Sequence, residues 1–336
     1  MAGSPDFPEV GLHVVTGKGG TGKSTVAAAL ALALAGPGKN VLLCEVEGRQ
    51  GIARMFDVDP LPYAERRIAT GLVGDDDRRG GVVHALHIDP ESALLEYLSM
   101  YYKLGRAGRA LDRFGVTEFA TTIAPGVRDV LLTGKVYEAT SRNARNKGAI
   151  EYDAVVLDAP PTGRITQFLG VNSELSGLAK MGPIKTQADK VMRLLSSSRT
   201  AVHVVTVLEE MPVQETVDGI ADLRAHGLPV GGVIVNLLRS RDLDDKALTA
   251  VRKGNLDTAL LTAELKRAGL DPDDTLVSGL LAEAGDHAER RALEDAQRKV
   301  VTGLDLPTYG LPQLPDGIDR GALYELAGLL REQGLA

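Results

Sequence analysis

Four features are scarce in this 336-residue sequence: cysteine, aromatic side chains, long apolar runs and any excess of positive charge. The single cysteine, Cys44, excludes an intrachain disulfide and is too few for a metal site, so we expect no zinc and a reducing compartment. No run reaches about 18 apolar residues, and the first eleven residues contain no apolar signal core. We therefore expect a cytoplasmic protein, with no indication of membrane contact.

The charge balance limits the classes of partner that we expect. There are 45 acidic and 38 basic residues, which gives a formal net charge of −7. A nucleic-acid-binding face needs clustered basic residues, so we expect no nucleic acid partner. Hydrophobic residues make up 44% and charged residues 25%, an ordinary globular composition with ample material for a core.

The most informative stretch that is present is residues 11–25, GLHVVTGKGGTGKST. An apolar run precedes a glycine loop, and an Ala/Leu-rich segment typical of a helix follows it. From Gly17 to Ser24 the loop fits G-x-x-x-x-G-K-[ST], the pattern of a phosphate-binding loop, or P-loop. Lys23 is placed to reach the β- and γ-phosphates of a nucleotide, and the Ser24 hydroxyl to hold Mg²⁺. We assign phosphate contacts to Gly17, Lys18, Gly19, Gly20, Thr21, Gly22, Lys23, Ser24 and Thr25.

A second acidic position is expected to complete the metal site. The apolar strand predicted at 153–157 ends in Asp158, followed by the stiff loop Pro-Pro-Thr-Gly up to Gly163. A carboxylate at the carboxyl end of a buried parallel strand is where a second Mg²⁺ ligand is needed. We predict that Asp158 is that ligand and that Gly163 senses the γ-phosphate; a simple turn or helix cap is the alternative for Asp158.

Strand and helix patterns alternate along the chain. Strands are predicted at residues 12–15, 40–45, 82–88, 153–157, 201–208 and 230–236, with a helical, charged region at 239–304 and a proline-rich return at 306–315. This alternation predicts an α/β fold with one doubly wound, mostly parallel sheet. We predict one P-loop domain over residues 1–336, with a helical subdomain from 89–149 and 171–198 inserted on one edge of the sheet.

Lys18 is a more specific feature than the general motif, because a plain P-loop allows any residue at that position. A lysine there resembles the deviant P-loop ATPases, in which it reaches across a dimer to the partner's nucleotide. GKGGTGKST, the stretch from Asp158 to Gly163, the stretch 200–215, APGVRDV at 124–130 and Asn236 together resemble the arsenite-pump ATPase and tail-anchored-protein targeting family. The chain looks like a divergent, actinobacterial-like member of it.

That resemblance implies an ATPase that uses Mg²⁺, hydrolyses ATP to ADP and phosphate, and works as a nucleotide-switched dimer coupled to a client. The dimer would be a homodimer or a heterodimer with a paralogous ATPase. Lys18 and Lys23 would neutralise the transferred phosphoryl group, Asn236 would contact adenine and Pro315 would close the base pocket. Glu47 stands where the family has the aspartate that positions water; Glu45, two residues earlier in the strand, is its rival.

Other departures from the family bear on the client. The zinc-binding C-x-x-C and the metalloid-binding cysteines are missing, and residues 171–198 are short and polar where client-binding members have a long Met-rich insertion. The client is therefore unknown. Two alternatives stay open: a partition or division-site type ATPase, and a non-hydrolysing nucleotide-binding scaffold.

Overall fold

The computed structural model describes residues 6–46, 48, 50–72, 80–102, 125–143, 148–178, 183–240, 244–254 and 257–336. The strands are β1 (Leu12–Gly17), β2 (Asn40–Glu45), β3 (Arg66–Thr70), β4 (Val82–His87), β5 (Ala154–Asp158), β6 (Thr200–Thr206), β7 (Val230–Leu238) and β8 (Thr308–Pro312). The helices are α1 (Lys23–Ala35), α2 (Gly51–Met55), α3 (Pro90–Tyr102), α4 (Pro125–Thr140), α5 (Thr162–Leu178), α6 (Pro183–Leu195), α7 (Glu210–Ala225), α8 (Asp245–Arg252), α9 (Thr258–Arg267), α10 (Asp274–Thr302) and α11 (Arg320–Glu332).

The strands form one eight-stranded sheet in the order β3-β4-β2-β5-β1-β6-β7-β8. All neighbours are parallel except β3 and β4. Strands that follow β1 in the chain lie on both sides of it, β2 to β5 on one side and β6 to β8 on the other. This arrangement confirms the predicted doubly wound, mostly parallel sheet. The pairing of Val15 with Asp158, and of Glu45 with Asp158, brings the carboxyl ends of β1, β2 and β5 to one edge. Ligands bind at this edge in such folds.

Each face of the sheet has its own core. On one face α1 is covered completely: every residue from Val26 to Ala35 is buried, most of them fully. The alanines let this helix lie close between the sheet and α11, whose Leu323, Leu326 and Leu330 belong to the same cluster. Burying one leucine such as Leu30 contributes roughly 1.5–3 kcal/mol. This packing fixes the helix that follows the P-loop.

The helices of residues 89–149 lie on the opposite face, not on an edge as predicted. Leu94 of α3 and Leu131, Leu132 and Val136 of α4 share a buried cluster with Leu12 of β1. The physical reason is that a parallel sheet is apolar on both faces, so its central strands need helices on each side. Residues 103–124 of the predicted insertion lie outside the described part of the chain.

A group of polar side chains ties this helical cover to the approach to β3, and we call it the α4 network. Arg142 contacts Glu65 at 2.6 Å and Glu138 through two 2.8 Å bonds, while Lys135 donates to Glu96 at 2.8 Å. Burial raises the pKa of Glu138, but hydrogen bonds from Arg142 and the charge of Lys135 more than offset it, so the pKa is lowered. The members are Tyr63, Glu65, Glu96, Lys135, Glu138, Arg142 and Tyr152.

Some element bounds differ from the sequence prediction. β3 was missed, and the proline-rich return contains β8; both are five-residue strands at the two sides of the sheet, where proline and charge are tolerated. α4 begins at Pro125, and α7 begins at Glu210 with Pro212 in its first turn, because first-turn N–H groups have no helical partner to lose. Within the described residues, no helix combines the length and apolar content needed to cross a bilayer.

Candidate functional site

The P-loop connects the end of β1 to the start of α1. Gly17 has φ 155°, and a Cβ there would lie 2.2 Å from the Val205 carbonyl oxygen, so the strand approach admits only glycine. Gly20 and Gly22 take φ values of 91° and 86°, in the left-handed region that favours glycine. α1 starts at Lys23 with no side chain capping it. Its first N–H groups therefore point into the loop, ready for an anion.

Ser24 and Asp158 meet as the sequence predicted for a metal pair. The Ser24 hydroxyl donates to Asp158 Oδ2 at 2.5 Å, although the two residues lie 134 positions apart. Asp158 is buried at the last position of β5, which pairs with Val15 of β1. A hydroxyl and a carboxylate beside a phosphate loop form the hard-oxygen donor set that Mg²⁺ prefers, so these residues fit that ion.

The stretch after Asp158 is attached to the P-loop strand. Thr16 Oγ1 donates to the Pro160 carbonyl at 2.7 Å, and the Ala159 N–H donates to Val15 O at 3.0 Å. Gly163 lies exposed in the first turn of α5 and lines a cleft of about 440 Å³ together with Lys18. The structure therefore brings the expected γ-phosphate sensor beside the P-loop.

Lys18 has a partner that the sequence argument did not foresee. Its Nζ lies 2.9 Å from Oε1 of Glu215 in α7. Glu215 also accepts from Thr162 Oγ1 at 3.5 Å, so it touches both the P-loop and the start of α5. The only sequence signal was that Glu215 falls in the stretch 200–215, which resembles the ATPase family.

Of the two acidic candidates, Glu45 and Glu47, the structure describes only Glu45. Glu45 is buried at the end of β2, as predicted, and its Oε1 accepts the Gly51 N–H at 2.8 Å while Oε2 lies 3.7 Å from His87 Nδ1. This carboxylate holds the start of α2 and is not open to a water beside the P-loop. Glu47 lies outside the described residues, so its role in positioning water stays a prediction.

A cleft of about 710 Å³ lies between the P-loop, the end of β7 and α10. Asn236 is buried, and its Nδ2 donates to the Thr21 carbonyl at 2.9 Å, so in this state the amide holds the loop. Gln313 lines the cleft, whereas Pro315 lies exposed in the turn beyond it. Contact between Pro315 and a base therefore stays a prediction.

Two buried histidines behind the P-loop were missed. His13 Nδ1 and His203 Nε2 are 3.1 Å apart, and His203 Nδ1 accepts the Gly232 N–H at 3.2 Å, which leaves Nε2 of His203 as the donor. Burial, then the charge of Lys39, lowers the pKa of His13 to about 4. Burial also holds the pKa of His203 well below its usual value, and His13 adds to that. Both rings are therefore neutral at pH 7.

The thiol of Cys44 is unreactive at neutral pH. It is fully buried in β2, and burial, followed by the nearby charge of Glu65, raises the pKa of its thiol to about 12. A thiolate, the form that binds metals and metalloids, is therefore not available at neutral pH.

Comparison with known proteins shows which family this sequence resembles. The sequence pattern of the anion-transporting ATPase family matches residues 12–198. The chain is 52% identical over 326 residues to the protein named ATPase BagA of Mycobacterium tuberculosis, covering 97% of this chain and 94% of that one. It is 25% identical over 267 residues to a putative arsenical pump-driving ATPase of Aquifex aeolicus, covering 70% and 82%. It is 24% identical over 265 residues to the ATPase GET3 of Kluyveromyces lactis, covering 69% and 73%.

Proposed function

We propose that this chain, which belongs to the anion-transporting ATPase family and is an ATPase, works with Mg²⁺ as a nucleotide-switched dimer. The observation that carries the proposal is the contact between Ser24 and Asp158 at the mouth of a glycine loop that ends in Lys23. In this geometry two oxygen donors and a cation stand beside one open helix start. We further propose that the protein works in the cytoplasm.

The roles follow from the positions of the side chains. Backbone N–H groups of the P-loop and the Lys23 ammonium bind the phosphates, and both grow in importance as charge develops on the transferred group. Ser24 and Asp158 would hold Mg²⁺, which supplies positive charge to the phosphate oxygens. We propose that Lys18 acts on the partner's nucleotide and that Glu47 orients the attacking water.

Release of the γ-phosphate would shift the position of Gly163. That residue lies in the first turn of α5, and Thr16 joins the same stretch to the P-loop strand through the Pro160 carbonyl. A shift there passes to the helices of the α3–α6 face, which would change a dimer or client surface. The client is left open by this proposal, as is the choice between a homodimer and a heterodimer.

One relative's name refers to an arsenical pump. We propose that this chain does not respond to arsenite through thiolates, because Cys44 is buried and its thiol pKa is raised to about 12. Nor do we expect bound zinc. Elemental analysis and turnover with added arsenite test both points; about one zinc per dimer, or stimulation by arsenite, would contradict them.

The central test is Lys23→Ala, with Lys266→Ala on the exposed face of α9 as the matched control. Lys23→Ala should abolish tight ATP binding in calorimetry and Mg²⁺-dependent phosphate release, because the β- and γ-phosphates lose their fixed cation. Lys266→Ala should match the wild type. Unchanged binding in Lys23→Ala would refute the nucleotide site; binding without turnover in the wild type, alone or with cell extract, would favour the scaffold alternative.

A further inference from the structure

Lys18, the lysine that distinguishes this P-loop, already has an ion-pair partner in its own chain. Lys18 Nζ lies 2.9 Å from Glu215 Oε1, and the two side chains are 28% and 38% exposed. The proposed function requires the same ammonium at the nucleotide of a second protomer. Since one ammonium cannot serve both places, the contact with Glu215 must break before Lys18 can act in trans.

We propose that Glu215 is a positioning residue that holds Lys18 in its own protomer until the ATP-bound dimer closes. The inference rests on the proposed function, because it presupposes that Lys18 contributes to hydrolysis. It adds a residue whose contact sets how readily that lysine becomes available. Glu215 acts only through Lys18, so we do not count it as catalytic.

Glu215 is also placed to respond to the γ-phosphate. Its second oxygen lies 3.5 Å from the hydroxyl of Thr162, the buried first residue of α5. One turn further along α7, a Cβ on Gly219 would meet the Thr162 methyl at 3.2 Å, so α7 packs tightly on the start of α5. Movement of the stretch between Asp158 and Gly163 therefore shifts Glu215 relative to Lys18, and nucleotide state and lysine release become linked.

The strength of the contact sets the size of the effect. Both side chains are partly exposed, and ion pairs of this kind change an equilibrium by only about 2- to 5-fold. A weak ion pair suits this role, because a buried and strong one would keep Lys18 bound to Glu215 in every state. Screening by salt should weaken it further, since the Debye length falls to about 3 Å at 1 M salt.

Asp222 provides the matched control. It lies on the same helix and lines the same cleft as Lys18, Gly163 and Glu215. Asp222→Asn therefore removes one negative charge from this cleft but leaves the contact between Lys18 and Glu215 in place. Glu215→Asp, which keeps the charge on a shorter side chain, serves as the conservative variant.

The experiment measures ATP turnover against protein concentration, with KM for ATP, in wild type, Glu215→Gln, Glu215→Asp and Asp222→Asn. Glu215→Gln should lower the protein concentration for half-maximal turnover by about 2- to 5-fold, with KM unchanged, and Glu215→Asp should lie between it and the wild type. Asp222→Asn should match the wild type. The difference should shrink at 1 M salt and vanish when Lys18→Ala is present in both proteins.

The outcomes separate the two proposals. Glu215→Gln indistinguishable from Asp222→Asn, or an effect that persists in the Lys18→Ala background, would overturn this inference alone. Wild-type turnover in Lys18→Ala itself would overturn the role of Lys18 in the proposed function, and this inference with it. A fall in turnover for Glu215→Gln with normal ATP binding would also overturn it, because the contact would then be needed for hydrolysis.

Discussion

Two sets of charged side chains in this protein differ in how many partners each charge has. In the α4 network, Arg142 is only 6% exposed and bonds to both Glu65 and Glu138, and Lys135 contacts both Glu96 and Glu138. At the nucleotide edge, Lys18 has one ion-pair contact among the described residues, with Glu215, and both are open to water. A buried charge with several partners is costly to disturb, whereas an exposed pair exchanges partners easily.

The difference matches what each region has to do. The α4 network joins the approach to β3 with α3 and α4, and keeps that helical cover in one arrangement. Under the proposed function, the P-loop and the side chains around it have to release their contacts when phosphate and metal bind. The number of partners per charge therefore separates the α4 network from the region that is proposed to switch.

The largest expected effect would come from breaking the network. Arg142→Met should lower the free energy of unfolding by about 2–3 kcal/mol, because Glu65 and Glu138, which are 15% and 33% exposed, lose the hydrogen bonds of a cation that is itself only 6% exposed. Arg267→Met is the control: Arg267 also pairs with a glutamate on its own helix but is 72% exposed, so it should cost less than about 1 kcal/mol. Urea unfolding of both variants measures this, and equal costs would remove the contrast between buried and exposed pairs.

The buried, uncharged pair of His13 and His203 provides a third case for the comparison, and its expected effect on stability is of intermediate size. The pKa of His13 is about 4 in the folded protein against 6.5 for an ordinary histidine, so the unfolded chain binds the proton first. Stability is therefore highest above pH 6.5 and is lost as the pH falls toward 4. Between pH 7 and 5 the loss from His13 should be about 2 kcal/mol.

Urea unfolding at the two pH values tests this in the wild type and in a His13→Leu/His203→Leu double variant. The double variant should show a loss between pH 7 and 5 that is smaller by at least that amount, whatever its absolute stability. The same loss in both proteins would show that other groups control the acid response. Glu65 and Glu138 also lose stability in acid, because their folded pKa values are lowered, but only nearer the range where free carboxylates titrate.

The smallest effect on stability should come from the switching region. Lys18→Ala should change the free energy of unfolding by less than about 1 kcal/mol, since it removes one exposed contact. Hydrolysis should nevertheless fall by on the order of 10²-fold, as expected for a lost transition-state donor. Thermal unfolding and phosphate release on the same preparation give both values, and a loss of stability like that of Arg142→Met would contradict the division of roles.

The sequence was sufficient where the signal is local or lies at a strand end. The P-loop is a contiguous motif, and the contact between Ser24 and Asp158 follows once the P-loop and Asp158 are placed at the carboxyl ends of the neighbouring parallel strands β1 and β5. The pairs His13–His203 and Lys18–Glu215 carry no such signal, because they depend on strand register and on where α7 lies. β3 was missed because its two arginines and five-residue length resemble a loop.

The complete burial of α1 has a consequence for the synthesis of this protein. The helix behind the P-loop is buried from Val26 to Ala35, and part of its cover is α11, which is translated almost three hundred residues later. Until that segment has left the ribosome, the first helix has an uncovered apolar surface, the kind that chaperones bind. The phosphate loop is therefore made long before the helix behind it reaches its final environment.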